Sequence, residues 1–462
     1  MLDSPSLRAN SVRYLGATAS AVGIQAPTAG VTFLPALMAA IVGEAGPLAF
    51  LLALCAMLLV SYAFVVLSAD FASAGSVYAF NGRALGYGYG FVSAWMVLGV
   101  YIAYSSSIYA SNANFMESLA GSAHVAMAWP LFAFLFWALA LALAYRRISV
   151  STLLIFALEG VAIVLVGIVA VAVLLKGGAG GRGVSVAPFT SGGIPIATIG
   201  LGVIFAFTGF SGFEVSATLG EETSRPLRVI PVSMVAALLV SGGIYVVMSW
   251  VETIAYPSAT ALAGQSVPLV DIAGRFVAPA MGTLVNVAAL ISGIGAQLAT
   301  VNGANRLLFA LARDGFGPRI LSRLNRGQRS PVGALTVVGV VSIIALVPFM
   351  LNGTTPIEAF FYLATYGADL IIIAYLLTSI AALVWSIRHG HTGAIRVVGL
   401  LAAIAVMAYI IKGTVYPIPE APFDLCIYAA GITIVAAIVL LLVPRLRANL
   451  SHSPLFAIRP AD

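Results

Sequence analysis

The sequence predicts an all-α integral membrane protein with about twelve transmembrane helices, and three observations carry that reading. Composition comes first: of 462 residues, 61% are hydrophobic and 8% charged, with a mean hydropathy of +1.06. A soluble domain carries about a quarter charged residues to face water, so a chain this poor in charge takes lipid as its solvent. The second observation is a series of twelve apolar runs, each near the roughly 20 residues that cross a hydrocarbon core as helix. The third is the placement of the basic residues, which alternates with those runs.

The runs fall at 16–41, 47–69, 87–115, 125–145, 149–175, 196–220, 230–254, 277–311, 332–351, 356–387, 394–412 and 425–444. The first is too long for a cleavable leader, and no small-residue cleavage site follows it. With both termini placed in the cytoplasm, the inside segments hold eighteen basic residues, among them Arg8, Arg13, Arg146, Arg147, Arg313 and Arg459. The outside segments hold only Lys176, Arg182, Arg275 and Lys412, which completes the total of 22. A wrong span count would scramble this asymmetry beyond the error, and it stays intact throughout. The predicted setting is therefore a cell membrane, crossed many times. The 46 glycines suit close helix approach in lipid.

The domain organisation follows from the spans. A cytoplasmic N-terminus covers 1–15, a first five-span repeat 16–175 and a second repeat of opposite topology 196–387. Two further spans occupy 394–444, and 445–462 forms a cytoplasmic tail. The glycine-rich stretch 176–183 is a flexible outside loop. The segment 257–268 is a second outside excursion, compatible with a short re-entrant or surface helix. No polar stretch is long enough to bury a soluble core.

Two spans are interrupted. In the first, Ala26-Pro27-Thr28-Ala29-Gly30 breaks the apolar run near its middle, where proline removes a donor and glycine loosens the chain. In the sixth, the run from Phe207 through Thr208, Gly209, Phe210, Ser211, Gly212 and Phe213 to Glu214 places glycines, hydroxyls and a carboxyl at membrane depth. Broken backbone inside a bilayer is tolerated only where protein or a water-filled cavity satisfies its polar groups. Either break alone reads as a packing kink. Together, at corresponding positions of two repeats, they point to a binding site between them.

The residues around the sixth span also carry a resemblance. The run Phe205 to Glu214, followed by Gly220-Glu221-Glu222-Thr223-Ser224-Arg225-Pro226, resembles the sixth helix and following loop of amino acid–polyamine–organocation (APC) permeases, amino acid permease branch. Supporting stretches are Ser73-Ala74-Gly75-Ser76-Val77-Tyr78 and Asn305-Arg306 with Arg313-Asp314-Gly315. The resemblance implies the leucine-transporter-like five-plus-five inverted repeat with two peripheral helices. It also implies secondary-active transport of an amino acid or related amine by alternating access. By the same resemblance, backbone N–H groups of Thr28, Ala29 and Gly30 would hold a substrate carboxylate, and the segment Phe207 to Ser211 would meet the substrate amine. Thr28 departs from the usual glycine-rich triplet, because a β-branched residue narrows backbone approach while adding a hydroxyl.

Ionisable groups at membrane depth are costly and mark candidate functional positions. Glu159, alone in an apolar fifth span, is the leading candidate for a coupling proton or a contact to a cationic substrate. By the resemblance, some proton-coupled members carry a lysine near this place. Glu214 closes the sixth-span motif as a structural pin or pH sensor. Asp369 stands in the tenth span without an obvious partner in sequence, as a further candidate for coupling or gating. Tyr101 and Tyr104 lie mid-way along the third span as candidate gating aromatics, and Tyr101 is assigned to the substrate site. Asn286, Ser292, Gln297 and Thr300 make the eighth span polar enough to line a pathway or supply sodium with oxygen ligands. Glu221 and Glu222, with Arg225 and Arg228, are candidates for ion pairs holding an inward gate shut.

Other chemistries find little support. Cys55 and Cys426 lie in apolar runs, and His124, His389, His391 and His452 fall in loops or the tail. The glycine-rich loops follow no strand and lack a phosphate-binding lysine pattern. The expectation is thus a non-enzyme with no cofactor beyond a proton or sodium gradient. Its partners would be a small amino acid or amine and the bilayer, without nucleic acid, and a homodimer stays open. Polyamine or organic-cation import or exchange is the alternative within the same fold. A channel or a transport-dead sensor is the alternative outside it.

Overall fold

The computed structural model of the protein describes residues 12–71, 73, 75–122, 128–145, 148–181, 183–324 and 331–451. Arg8, Ala74, His124, Arg146, Arg147, Arg182, His452 and Arg459 lie outside the described residues. The described residues form helices joined by loops and turns, with an isolated bridge between Val12 and Thr223.

Helices α1 (Tyr14–Gln25), α2 (Pro27–Val31) and α3 (Leu34–Val42) share the first apolar run, and α4 (Gly46–Asp70) follows through a tight corner. A short α5 (Val77–Leu85) leads to α6 (Tyr87–Ser122), α7 (Trp129–Tyr145) and α8 (Ile148–Leu175). Then come α9 (Ile196–Phe210), a 3-10 turn over Phe213–Leu219, and α10 (Pro226–Ala255). Two small helices, α11 (Ala259–Ala263) and α12 (Pro268–Phe276), occupy the predicted excursion. They precede α13 (Pro279–Arg313), α14 (Val332–Leu351), α15 (Pro356–Arg388), α16 (Ala394–Val415), α17 (Phe423–Leu441) and α18 (Pro444–Ser451).

Ten helical stretches are long and apolar enough to cross a membrane, one of them counted continuously from Leu34 to Asp70. The predicted figure of twelve needs two more: α7, which is 17 residues long, and the broken run that begins at Tyr14. The third and eighth spans run longer than the apolar pattern suggested, to Ser122 and Arg313.

Burial separates the helices into two classes. Within their apolar windows α6 and α13 are 72% and 67% buried, whereas α16 and α17 are 22% and 17% buried. The central helices thus carry the site, and the last two present apolar side chains outward. This is the arrangement a lipid-solvated bundle requires, since lipid-facing and core-facing positions are equally apolar.

Candidate substrate site between the two helix breaks

The first break follows from its sequence. A residue before proline is disfavoured in helical geometry, and Ala26 adopts the left-handed region at φ 40° instead. Pro27 then opens α2, where its missing N–H costs nothing. A second interruption at Thr32 and Phe33 separates α2 from α3. The predicted single interruption is therefore two, with one helical turn between them.

The second break has different chemistry. Helix α9 ends at Phe210, Ser211 is extended and Gly212 takes φ 96°, a conformation that favours glycine. The chain resumes as a 3-10 turn that includes Glu214.

Freed backbone groups at both breaks find partners. The Gln25 carbonyl accepts from the Tyr245 hydroxyl at 2.6 Å, and the Gln25 side-chain amide donates to the Phe210 carbonyl at 2.9 Å, tying one break to the other. The Thr28 N–H donates to Glu159 Oε1 at 3.2 Å, and the Ala29 N–H donates to Ser292 Oγ at 3.2 Å. The Gly30 N–H donates to the Ala26 carbonyl at 2.8 Å. All three donors that the resemblance offered to a substrate carboxylate are thus engaged by the protein itself.

At the sixth-helix break, Tyr375 accepts from the Gly212 N–H at 3.1 Å and donates to Glu214 Oε2. Tyr101 donates to the other carboxylate oxygen at 3.1 Å. Glu214 is fully buried. Its carboxylate thus ties the broken segment to α6 and α15.

Between the breaks lies a cavity of about 80 Å³. Ala26, Ala29 and Gly30 form one wall, and Thr208, Gly209 and Ser211 form the opposite one. Tyr104, Ser107 and Ser111 line it from α6, with Tyr245, Gly293 and Phe360 completing the surface. Hydroxyls are the main polar side chains here, and Tyr104 and Ser211 share a 2.7 Å hydrogen bond across the cavity wall.

Several predicted residues sit elsewhere. Tyr101 is not on this lining: it lies one turn away from Tyr104 and serves Glu214. Pro27 and Thr28 are buried behind the wall, and Thr28 connects to Glu159 instead. Phe207 packs edge-on against Tyr375, and Phe210 packs against Tyr245, so both support the wall from behind. Asp369 lines a separate cavity of about 150 Å³ with Ile372, Thr414, Ile427 and Ala430, beside the peripheral helices. Glu222 pairs with Arg306 at 2.7 Å and Glu221 with Arg313 at 3.0 Å. Cations of helix α13 thus reach both carboxylates. Sequence reading missed Tyr245 and Tyr375, whose hydroxyls lie in otherwise apolar runs; a tyrosine at membrane depth facing a predicted break was the available signal.

These contacts place a cradle of irregular backbone around a small cavity inside an apolar bundle. The amino acid permease family model matches residues 13–456. The chain belongs to that family. Its relatives are permeases, so it stands among transporters and not enzymes. The chain is 26% identical to the low-affinity putrescine importer of Escherichia coli (strain K12) over 65% of its own length and 66% of the relative's. It is 26% identical to the branched-chain amino acid permease of Bacillus subtilis (strain 168) over 41% of its length and 40% of the relative's. The match thus spans less than two thirds of each of these relatives. Among solved structures it resembles a mutant manganese transporter of Eremococcus coleocola at TM-score 0.57 and 15% identity, covering 97% of this chain and 99% of that one. That likeness concerns the fold alone, which is leucine-transporter-like.

Proposed function

We propose that this permease is a secondary-active transporter of an amino acid or related small amine, working by alternating access and drawing on the proton gradient. The observation that carries the reading is the cavity between Ala26–Gly30 on one side and Thr208–Ser211 on the other. Irregular backbone at membrane depth is stable only where its polar groups are satisfied, and a polar substrate is one such partner. The termini are taken as cytoplasmic, which places the Glu222–Arg306 and Glu221–Arg313 pairs on the cytoplasmic side. There, with Val12 bonded to Glu222 and Ser224 backbone, they hold the inner end closed.

Glu159 supplies the coupling. Its carboxylate occupies the Thr28 N–H that a substrate carboxylate would use. A hydrogen bond to a charged group contributes about 1.5–3 kcal/mol, and protonation of the acid weakens it. A proton arriving at Glu159 therefore frees the Thr28 N–H for the substrate, so proton and amino acid bind together.

The same contact favours a second reading. With Glu159 left ionised and its N–H occupied, the cavity suits an amine that brings no carboxylate, as putrescine does. Competition in proteoliposomes separates the two. Uptake of labelled leucine or alanine blocked by unlabelled amino acids and indifferent to putrescine supports the first. Block by putrescine alone supports the second, and no saturable uptake of any of these probes contradicts both.

A further inference from the structure

The transport reading leaves one buried acid without a task. Glu252, near the end of α10, is fully buried, and neither of its carboxylate oxygens has a hydrogen-bond partner among the described residues. It does not stand alone on its helix. Ser241, Tyr245, Ser249 and Glu252 are spaced at four, four and three residues, which sets them along one helical face. The Ser241 and Ser249 hydroxyls are likewise buried without a partner. Tyr245 lines the substrate cavity and donates to the Gln25 carbonyl at the first break. One face of α10 therefore joins the cavity to a carboxyl at the end of the bundle opposite the Glu222–Arg306 pair.

Among the described residues no charged group pairs with Glu252. The elements packed against α10 carry few titratable groups, and those present are engaged or far from this end. Helix α8 brings Glu159, which is bonded to Thr28. Helix α12 brings Asp271 and Arg275, which pair with one another at 2.7 Å while Tyr256 also donates to Asp271. Helix α4 carries Cys55, Tyr62 and, at its other end, Asp70; α1 carries Tyr14; and the 3-10 turn carries Glu214, held by Tyr101 and Tyr375. Helices α2, α3, α9 and α11 carry none. The loop whose Gly178 abuts the Ile254 carbonyl carries Lys176, which is exposed. An uncompensated buried carboxylate costs several kcal/mol, so charge at this position depends on access to water or on an arriving cation.

We propose that Glu252 is the proton-loading site of the outer end, from which a proton passes along the polar face of α10 to the substrate cavity and Glu159. The inference rests on the proton-coupled reading above. Seven residues of helix separate Glu252 from Tyr245, about 10 Å of rise, so the Ser249 hydroxyl and water admitted by opening carry the intermediate transfer. Each step is a plain proton exchange. The Glu252 carboxylate takes a proton from outside water, returns it to the water file, and the Glu159 carboxylate accepts it.

The test uses full-length protein reconstituted in liposomes, with labelled leucine and labelled putrescine as probes. In Glu252→Gln, accumulation driven by a pH gradient should fall about tenfold or more, while counterflow exchange, which needs no net proton movement, should stay within about twofold. Infrared difference spectra across a pH step should lose one carboxylic-acid carbonyl band relative to the parent protein, and Glu252→Asp, with monodisperse elution as the folding control, should restore it. Undiminished gradient-driven accumulation in Glu252→Gln, or an unchanged set of carboxyl bands, overturns the proposal. Loss of counterflow together with accumulation also overturns it, because that assigns Glu252 to substrate binding. If the parent protein moves neither probe, the transport reading fails for them, and the infrared band alone decides whether Glu252 exchanges a proton.

Discussion

The two helix breaks solve one problem in opposite ways. Both expose backbone at membrane depth, and both are served by a buried carboxyl. At the sixth-helix break the acid belongs to the broken segment, and tyrosines from two other helices hold it: Tyr101 at 3.1 Å and Tyr375. At the first break the acid arrives from α8, and Glu159 accepts from the Thr28 N–H at 3.2 Å with the Ser292 hydroxyl also beside it. The first arrangement is a clamp, because moving Glu214 breaks several bonds at once. The second is looser, because Glu159 belongs to another helix and holds the broken segment through one backbone N–H, with the Ser292 hydroxyl beside it; on the proposed function, that N–H is the one a proton would release to a substrate oxygen.

The comparison breaks most visibly at Glu214. Glu214→Ala leaves the O–H donors of Tyr101 and Tyr375 buried without an acceptor, and stability should fall by about 3 kcal/mol or more. Thermal unfolding in detergent should show it as a large drop in midpoint. A midpoint equal to that of the parent protein would remove the clamp from the account.

Gly30 tests the other break. A methyl group there would sit 2.5 Å from the Tyr245 hydroxyl oxygen. Gly30→Ala therefore overpacks the cavity wall, at about 1–3 kcal/mol. Probe uptake should be lost while the protein still elutes as a monodisperse peak. Retained uptake with an unchanged KM would show that this wall does not bound the substrate.

Smaller changes sharpen the contrast. Tyr101→Phe removes one of the bonds to Glu214 and should cost about 1 kcal/mol, visible as a modest midpoint shift with uptake largely kept. Glu221→Gln breaks a partly exposed pair to Arg313, worth less than about 1 kcal/mol, and should alter the rate of inward opening more than stability. A collapse of folding in Glu221→Gln would mean that the inner pairs are structural and not a gate.

Much of this was legible in the sequence. Charge poverty and the eighteen-to-four split of basic residues identify a membrane bundle, because lipid excludes charge from every span. Ala26-Pro27 and Gly212 mark the breaks because their backbone preferences are local. Glu159 and Glu214 stood out for the same reason, as carboxyls amid apolar neighbours. What stayed hidden was long-range. Tyr101 and Tyr104 are three residues apart on one helix, and only packing decides that Tyr104 meets the cavity while Tyr101 meets Glu214. Asp369 stood out as a candidate coupling or gating acid, and only packing shows that it lines a separate cavity beside the peripheral helices. Glu221 and Glu222 suggested pairs with the arginines next in sequence, and the pairs to Arg306 and Arg313 of helix α13, 84 and 92 residues away, could not be read there. Glu252 passed unnoticed near a span end, where interfacial carboxyls are ordinary.

The most direct test of the role proposed for Glu159 is the pH dependence of ligand binding in Glu159→Gln and the parent protein. If protonation of Glu159 frees the Thr28 N–H, the parent protein should bind a carboxylate-bearing probe such as leucine more tightly as pH falls. Glutamine keeps an oxygen for Thr28 but takes up no proton, so the variant should bind with an affinity that does not change with pH. An unaltered pH dependence of leucine affinity in Glu159→Gln would contradict the claim that this acid couples the proton to the substrate.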